Sequence, residues 1–138
     1  MKISFLKRVP KTKYGKVILL NHDLKPHEEA TLFCLSEFGF DVETIIPSSI
    51  PKSKNPDLLM LGTTWEIKGP RKVNKNTIQN RFHKARKQSG GRAIFDLRKT
   101  DGDVEKLEKY ILQIFKTSKG MKRIMIIENN NSILDIFK

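Results

Sequence analysis

The sequence predicts an α/β (α+β) fold, a mixed β-sheet flanked by helices. Segments with a helical apolar period alternate with short apolar runs of strand length, and glycine, proline or asparagine separates nearly every pair of them. At 138 residues, 38% hydrophobic and 30% charged, the chain has the size and balance of one globular domain able to bury its own core. No internal repeat, low-complexity tract or long linker divides it.

Residues 1–15 read as a basic, mobile lead-in, with Lys7, Arg8, Lys11 and Lys13 close together, so the single domain is expected over residues 16–138. Lys16–Leu20 is a short apolar strand candidate. Pro26 suits the first turn of a helix running to Phe38 and stopped by Gly39. Phe40–Ile46 alternates as a half-buried strand does, and a turn-rich stretch follows from Pro47 to Pro56. Asp57–Leu61 and Thr64–Lys68 then read as an antiparallel hairpin turning around Gly62. Asn74 or Asn76 can cap a helix that buries Ile78, Phe82 and Ala85 and ends at Gly90-Gly91. Ala93–Leu97 is the next strand. Asp101-Gly102-Asp103 caps a third helix with Val104, Leu107, Ile111, Leu112 and Phe115 inward. Met125–Ile127 and Ile133–Phe137 close the chain as a strand pair around an Asn-rich turn.

Composition narrows the function. The net charge is +12, with a pI near 9.9, which favours polyanionic partners. The distribution sharpens this: from Ile67 through Phe95 there is no Asp or Glu, while Arg71, Lys72, Lys75, Arg81, Lys84, Arg86, Lys87 and Arg92 are all basic. Such a one-signed run is the footprint of a phosphate-backbone contact. No apolar run approaches the roughly 18 to 20 residues of a bilayer crossing, Met1–Pro10 has no signal-peptide core, and no helix pairs a basic face with a broad aromatic one, so no membrane role is expected. The single cysteine, Cys34, lies in an apolar stretch and reads as a buried small hydrophobe.

Phosphodiester hydrolysis near neutral pH needs a divalent cation, hard oxygen ligands and a group that positions or deprotonates water. Asp57 opens one strand of the predicted hairpin and Glu66 lies in the other, so the turn brings the two carboxylates together. Lys68 follows Glu66 by two residues and shares its face of the strand. The ammonium is suited to orienting water or stabilising a developing oxyanion. Oxygen-only ligands point to Mg²⁺ (or Mn²⁺), because no Cys/His cluster suits zinc. The competing reading is a non-catalytic nucleic-acid-binding module. The two part at the carboxylates, which repel a phosphate unless a cation intervenes.

Pro56-Asp57, eight intervening residues and Glu66-Ile67-Lys68 resemble the signature of PD-(D/E)XK nucleases, and the predicted element order is similar to that family's restriction-endonuclease-like core. Over Lys16–Lys138 the chain also resembles the C-terminal nuclease domains of contact-dependent growth-inhibition (CdiA) toxins, often described as tRNases. Pro26-His27-Glu28-Glu29, Phe38–Val42, Trp65–Lys68 and Lys84–Gln88 carry that resemblance.

The resemblance implies a further acidic ligand from the first helix, Glu28 or its neighbour Glu29, beside the metal ligands Asp57 and Glu66. It also implies that Gln88 lies nearest the catalytic centre, and that Arg81 and Lys84 grip the substrate backbone. Thr77, Arg81, Lys84 and Gln88 form one stripe of the second helix by their spacing. Together with Arg71, Lys72, Lys75 and Lys87 they make the expected nucleic-acid face. His83 points elsewhere and reads as a surface residue, while His22 and His27 stay open as phosphate or partner contacts. The implied substrate is tRNA, with DNA as the alternative, and the implied partner is an acidic immunity protein covering the basic groove. The implied place of action is a bacterial cytoplasm, that of a target cell after delivery.

Overall fold

The computed structural model describes residues 1–8, 13–21, 23–47, 49, 56–130 and 132–138. Eight strands and three helices are formed among them, in the order β1 (Lys2–Lys7), β2 (Val17–Ile18), α1 (Pro26–Glu37), β3 (Val42–Thr44), β4 (Leu58–Met60), β5 (Thr63–Lys68), α2 (Lys75–Ser89), β6 (Arg92–Asp96), α3 (Val104–Thr117), β7 (Arg123–Ile127) and β8 (Ser132–Phe137). The strands make one mixed sheet in the order β1-β8-β7-β6-β5-β4-β3-β2. β5, β6 and β7 run parallel at its centre, joined by the crossover helices α2 and α3. The expected α/β class is thus the observed one.

The two-residue side-chain period of the central strands sorts the core into two layers. Ala93 and Phe95 of β6 pack with Ile78 and Phe82 of α2 and with Leu107, Ile111 and Phe115 of α3. Ile94 of the same strand packs on the opposite face with Trp65 and Ile67 of β5 and with Leu32 and Leu35 of α1. Cys34 belongs to that second layer, and burial pushes its thiol up, in keeping with a packing role.

Local signals bound α2 and open α3 where they were expected, while α3 stops at Thr117, before the Gly120 expected to close it. Asn74 Oδ1 accepts from the Thr77 amide at 3.2 Å, Gly90 closes α2 in the left-handed conformation, and Asp103 Oδ1 accepts from the Lys106 amide at 3.1 Å. The β4–β5 hairpin turns on two residues, Leu61 (φ 54°) and Gly62 (φ 73°), flanked by the Met60–Thr63 pair. Two successive positive φ angles are what a tight hairpin needs to follow the sheet's twist.

The N-terminal lead-in requires correction. Residues 2–7 form β1, which pairs antiparallel with β8 from Lys2–Phe137 to Lys7–Ser132. Leu6 reaches the second core layer, while the lysines at either end of the strand mask its alternation. Gly15 is also built into the fold: its amide donates to Ser36 O at 2.9 Å, and a Cβ there would stand 1.9 Å from the Phe40 carbonyl oxygen. Most of the turn-rich stretch, residues 48 and 50–55, and His22 lie outside the described residues. Among the described residues no helix is long and apolar enough to cross a membrane.

Candidate active site

Asp57 is held at the entrance to β4 by backbone on both sides, its amide donating to Trp65 O (3.1 Å) and its carbonyl accepting from the Ile45 amide (3.3 Å). Its carboxylate Oδ2 accepts from the Ile67 amide at 2.7 Å, which turns the side chain toward β5. Glu66 and Lys68 project from one face of β5, opposite Ala93 and Phe95 of β6, while Trp65 and Ile67 fill the other face. Glu66 and Lys68 are buried, and Lys68 Nζ lies 2.9 Å from Glu66 Oε2. Gln88 of α2 reaches Glu66 with its side-chain amide; turned so that the nitrogen faces the carboxylate, it donates to Glu66 Oε1 (3.0 Å) and Oε2 (2.8 Å).

These contacts set an uneasy charge balance. Burial and the neighbouring Asp57 carboxylate push Glu66 up to about 7, against the pull of the Lys68 ammonium. Asp57 is also pushed up, by burial first; the Ile67 amide opposes this, the Glu28 charge adds to it, and Lys68 opposes it again. A buried and a half-buried carboxylate, both pushed up and served by one ammonium on Glu66, leave room for a further positive charge.

The two carboxylates and Lys68 open into a cleft of about 360 Å³, also lined by Lys25, His27, Glu28, Arg71 and Arg81. Glu28 therefore faces the site, whereas Glu29 is exposed. Glu28 Oε1 also accepts from the Lys25 amide at 3.2 Å and so caps α1. Among the described residues no three Asp, Glu, His or Cys side chains converge closely enough to enclose an ion by themselves. The donor set still fits Mg²⁺, which usually keeps several waters and takes one or two carboxylates together with substrate phosphate oxygens.

The basic residues divide into two groups. Arg71 and Arg81 reach the cleft, while Lys72, Lys75, Lys84 and Lys87 are exposed and Thr77 is half-buried. His83 is exposed and contacts Arg86 Nη2 at 3.3 Å, as a surface histidine. Lys25 was not picked out from the sequence; its place just before Pro26, at the start of a helix carrying Glu28, was the available signal.

Residues 54–133, more than half of the chain, match the family described as the contact-dependent growth inhibition CdiA C-terminal domain. The chain belongs to this family. A solved chain from a "CdiA-CT/CdiI toxin and immunity complex from Burkholderia pseudomallei" has a similar fold, with a TM-score of 0.68 and 19% identity, covering 90% of this chain and 100% of that one. No curated protein sequence matches. CdiA C-terminal domain membership gives the chain a setting in growth inhibition between bacteria. The chemistry has to be argued from the cleft.

Proposed function

We propose that this CdiA C-terminal domain is a PD-(D/E)XK-type, metal-dependent nuclease, with tRNA as its substrate. The observation that carries the reading is the convergence of Asp57, Glu66 and Lys68 in a basic-rimmed cleft, with Gln88 donating to both oxygens of Glu66. A pure phosphate binder gains nothing from two carboxylates at the base of its groove, since they repel the ligand.

In this reading Asp57 and Glu66 hold Mg²⁺ or Mn²⁺, with Glu28 facing them from α1. The ion supplies positive charge to the phosphate and a more acidic bound water. The Ile67 amide fixes one Asp57 oxygen. Gln88 and Lys68 fix the Glu66 rotamer. Lys68 Nζ orients the attacking water and stabilises the charge that develops on the phosphate oxygens. Arg71 and Arg81 hold the backbone on either side, and exposed Lys72, Lys75, Lys84 and Lys87, with Thr77, extend that track along α2.

The same basic surface suits an acidic immunity protein, in keeping with the toxin–immunity complex formed by the similar structure. Delivery into a target bacterium would place the reaction in its cytoplasm.

Incubation of the protein with total RNA and with plasmid DNA, each with Mg²⁺, Mn²⁺ or a chelator, tests the proposal. The expected result is metal-dependent loss of the tRNA band and none with Lys68→Ala. Cleavage of DNA alone would move the substrate to DNA. Salt-sensitive binding without cleavage under any divalent ion would make the domain a binding module.

A further inference from the structure

The cleft does not end at Arg71. A second cavity, of about 110 Å³, opens between α1 and the carboxyl ends of β5 and β6, and His27, Gly69 and Arg71 line both spaces. Its remaining wall is Ala30 and Thr31 of α1, Asp96 at the end of β6, and Arg98 and Lys99 just beyond it.

Thr31, Asp96 and Arg98 of this wall are already spent on one another. Asp96 Oδ1 accepts from the Arg98 amide (3.2 Å) and Nε (2.9 Å), and Oδ2 accepts from Thr31 Oγ1 (2.6 Å) and Arg98 Nη2 (2.7 Å). A carboxylate has about four acceptor sites, so Asp96 has none left for a ligand. Arg98 Nη2 also donates to the Ala30 carbonyl at 3.1 Å, which ties α1 to the end of β6. The rest of the lining is mainly apolar, with the Ala30 methyl and the Gly69 Cα beside the His27 ring and the exposed Arg71 and Lys99 at its rim.

A phosphate seated inside would find Arg98 committed and a carboxylate beside it, leaving only the rim cations Arg71 and Lys99 as donors. A flat, weakly polar ring would meet carbon walls under a cationic rim. The volume is comparable to the engineered apolar cavity of about 150 Å³ that takes benzene, so it suits one six-membered ring. A nucleic acid whose scissile phosphate lies at Lys68 carries such rings within one nucleotide of His27 and Gly69.

We infer that this cavity receives the base of the nucleotide next to the scissile phosphate and selects a pyrimidine there over a purine. This rests on the nuclease reading of the adjoining cleft. Unstacking that base and seating it beside His27 and Arg71 would place the phosphate over Glu66 and Lys68, so the pocket would set both the position and the sequence preference of the cut.

The test uses the full chain, Mg²⁺ and synthetic RNA oligonucleotides spanning the mapped cleavage position, with a pyrimidine, a purine or no base at each flanking nucleotide. At one flank, kcat/KM should fall about tenfold or more when the base is removed and severalfold with a purine. Ala30→Leu fills this cavity without lining the catalytic cleft. It should reduce the pyrimidine substrate to the abasic rate, with melting temperature and Mn²⁺ affinity retained. Gly69→Ala is the milder companion, since its new methyl would sit 3.8 Å from His27 Cδ2, an ordinary contact, and it should narrow the preference. Cleavage by the parent with no base dependence at either flank, or an intact preference in both variants, overturns the inference and leaves the nuclease reading standing. A parent that cuts none of the substrates overturns both.

Discussion

Replacing Glu66 by Gln should abolish cleavage and at the same time stabilise the fold at alkaline pH. Glu66 ionises at about 7 in the folded chain rather than at 4.5, because burial and the Asp57 charge oppose its ionised form. At about 1.4 kcal/mol for each pKa unit, holding that carboxylate ionised costs on the order of 3 kcal/mol. The folded state binds the proton more tightly than the unfolded one. Stability is therefore fullest below about 4.5, falls as pH rises toward 7, and levels off above it. Glutamine keeps the shape and carries no charge; its oxygen accepts from Lys68, and its amide nitrogen donates to the Gln88 oxygen once that amide turns over, so Glu66→Gln should lack this fall. At pH 8 its melting temperature should exceed the parent's by several degrees. Glu108, pushed to about 8 by burial and by its hydrogen bond and repulsion with Glu128, adds a similar fall to both proteins, so the difference between them is the readout. Thermal melts from pH 5 to 9 provide it, and Mn²⁺ at pH 8 should raise the parent but not the variant. Parallel curves, or a variant less stable than the parent at pH 8, would refute the charge balance described for the cleft.

Three further outcomes follow from the same geometry. Gln88→Ala removes the donor to both Glu66 oxygens, so Glu66 should ionise at still higher pH; the acid limb of the kcat/KM profile should move upward, and a pH profile of the variant checks it. Arg81→Ala removes a cleft cation but no catalytic group; it should weaken tRNA binding across sequences and reduce the salt slope of log Kd by about one, as filter binding at several ionic strengths would report. Leu61 adopts φ 54° at an exposed turn where asparagine is favoured; Leu61→Asn should add roughly 1 kcal/mol of stability in urea titrations, with activity unchanged.

Much of the site was legible because it depends on local geometry. The alternation of Trp65, Glu66, Ile67 and Lys68 puts two charges on one face of a strand whichever sheet receives it, and the tight turn at Gly62 returns Asp57 to Glu66. Asn74, Gly90 and Asp103 marked helix ends by side-chain and backbone chemistry alone. The choice between Glu28 and Glu29 needed the packing of α1, which turns Glu28 into the cleft and leaves Glu29 in solvent. β1 was missed because its apolar residues alternate between charged ends and gain a partner only from β8, at the other end of the chain. The Thr31–Asp96–Arg98 network was equally hidden. It joins residues 65 positions apart, and nothing in either segment names the other until α1 lies across the end of β6.

In the proposed reading the Asp57 and Glu66 carboxylates bind a hard dication beside Lys68. Anomalous diffraction from a manganese-soaked crystal of the Lys68→Ala protein measures this directly. A peak bridging Asp57 and Glu66, on the side facing Glu28 and Arg81, is the predicted result. Ordered density for both carboxylates with manganese bound elsewhere, or nowhere, would contradict it.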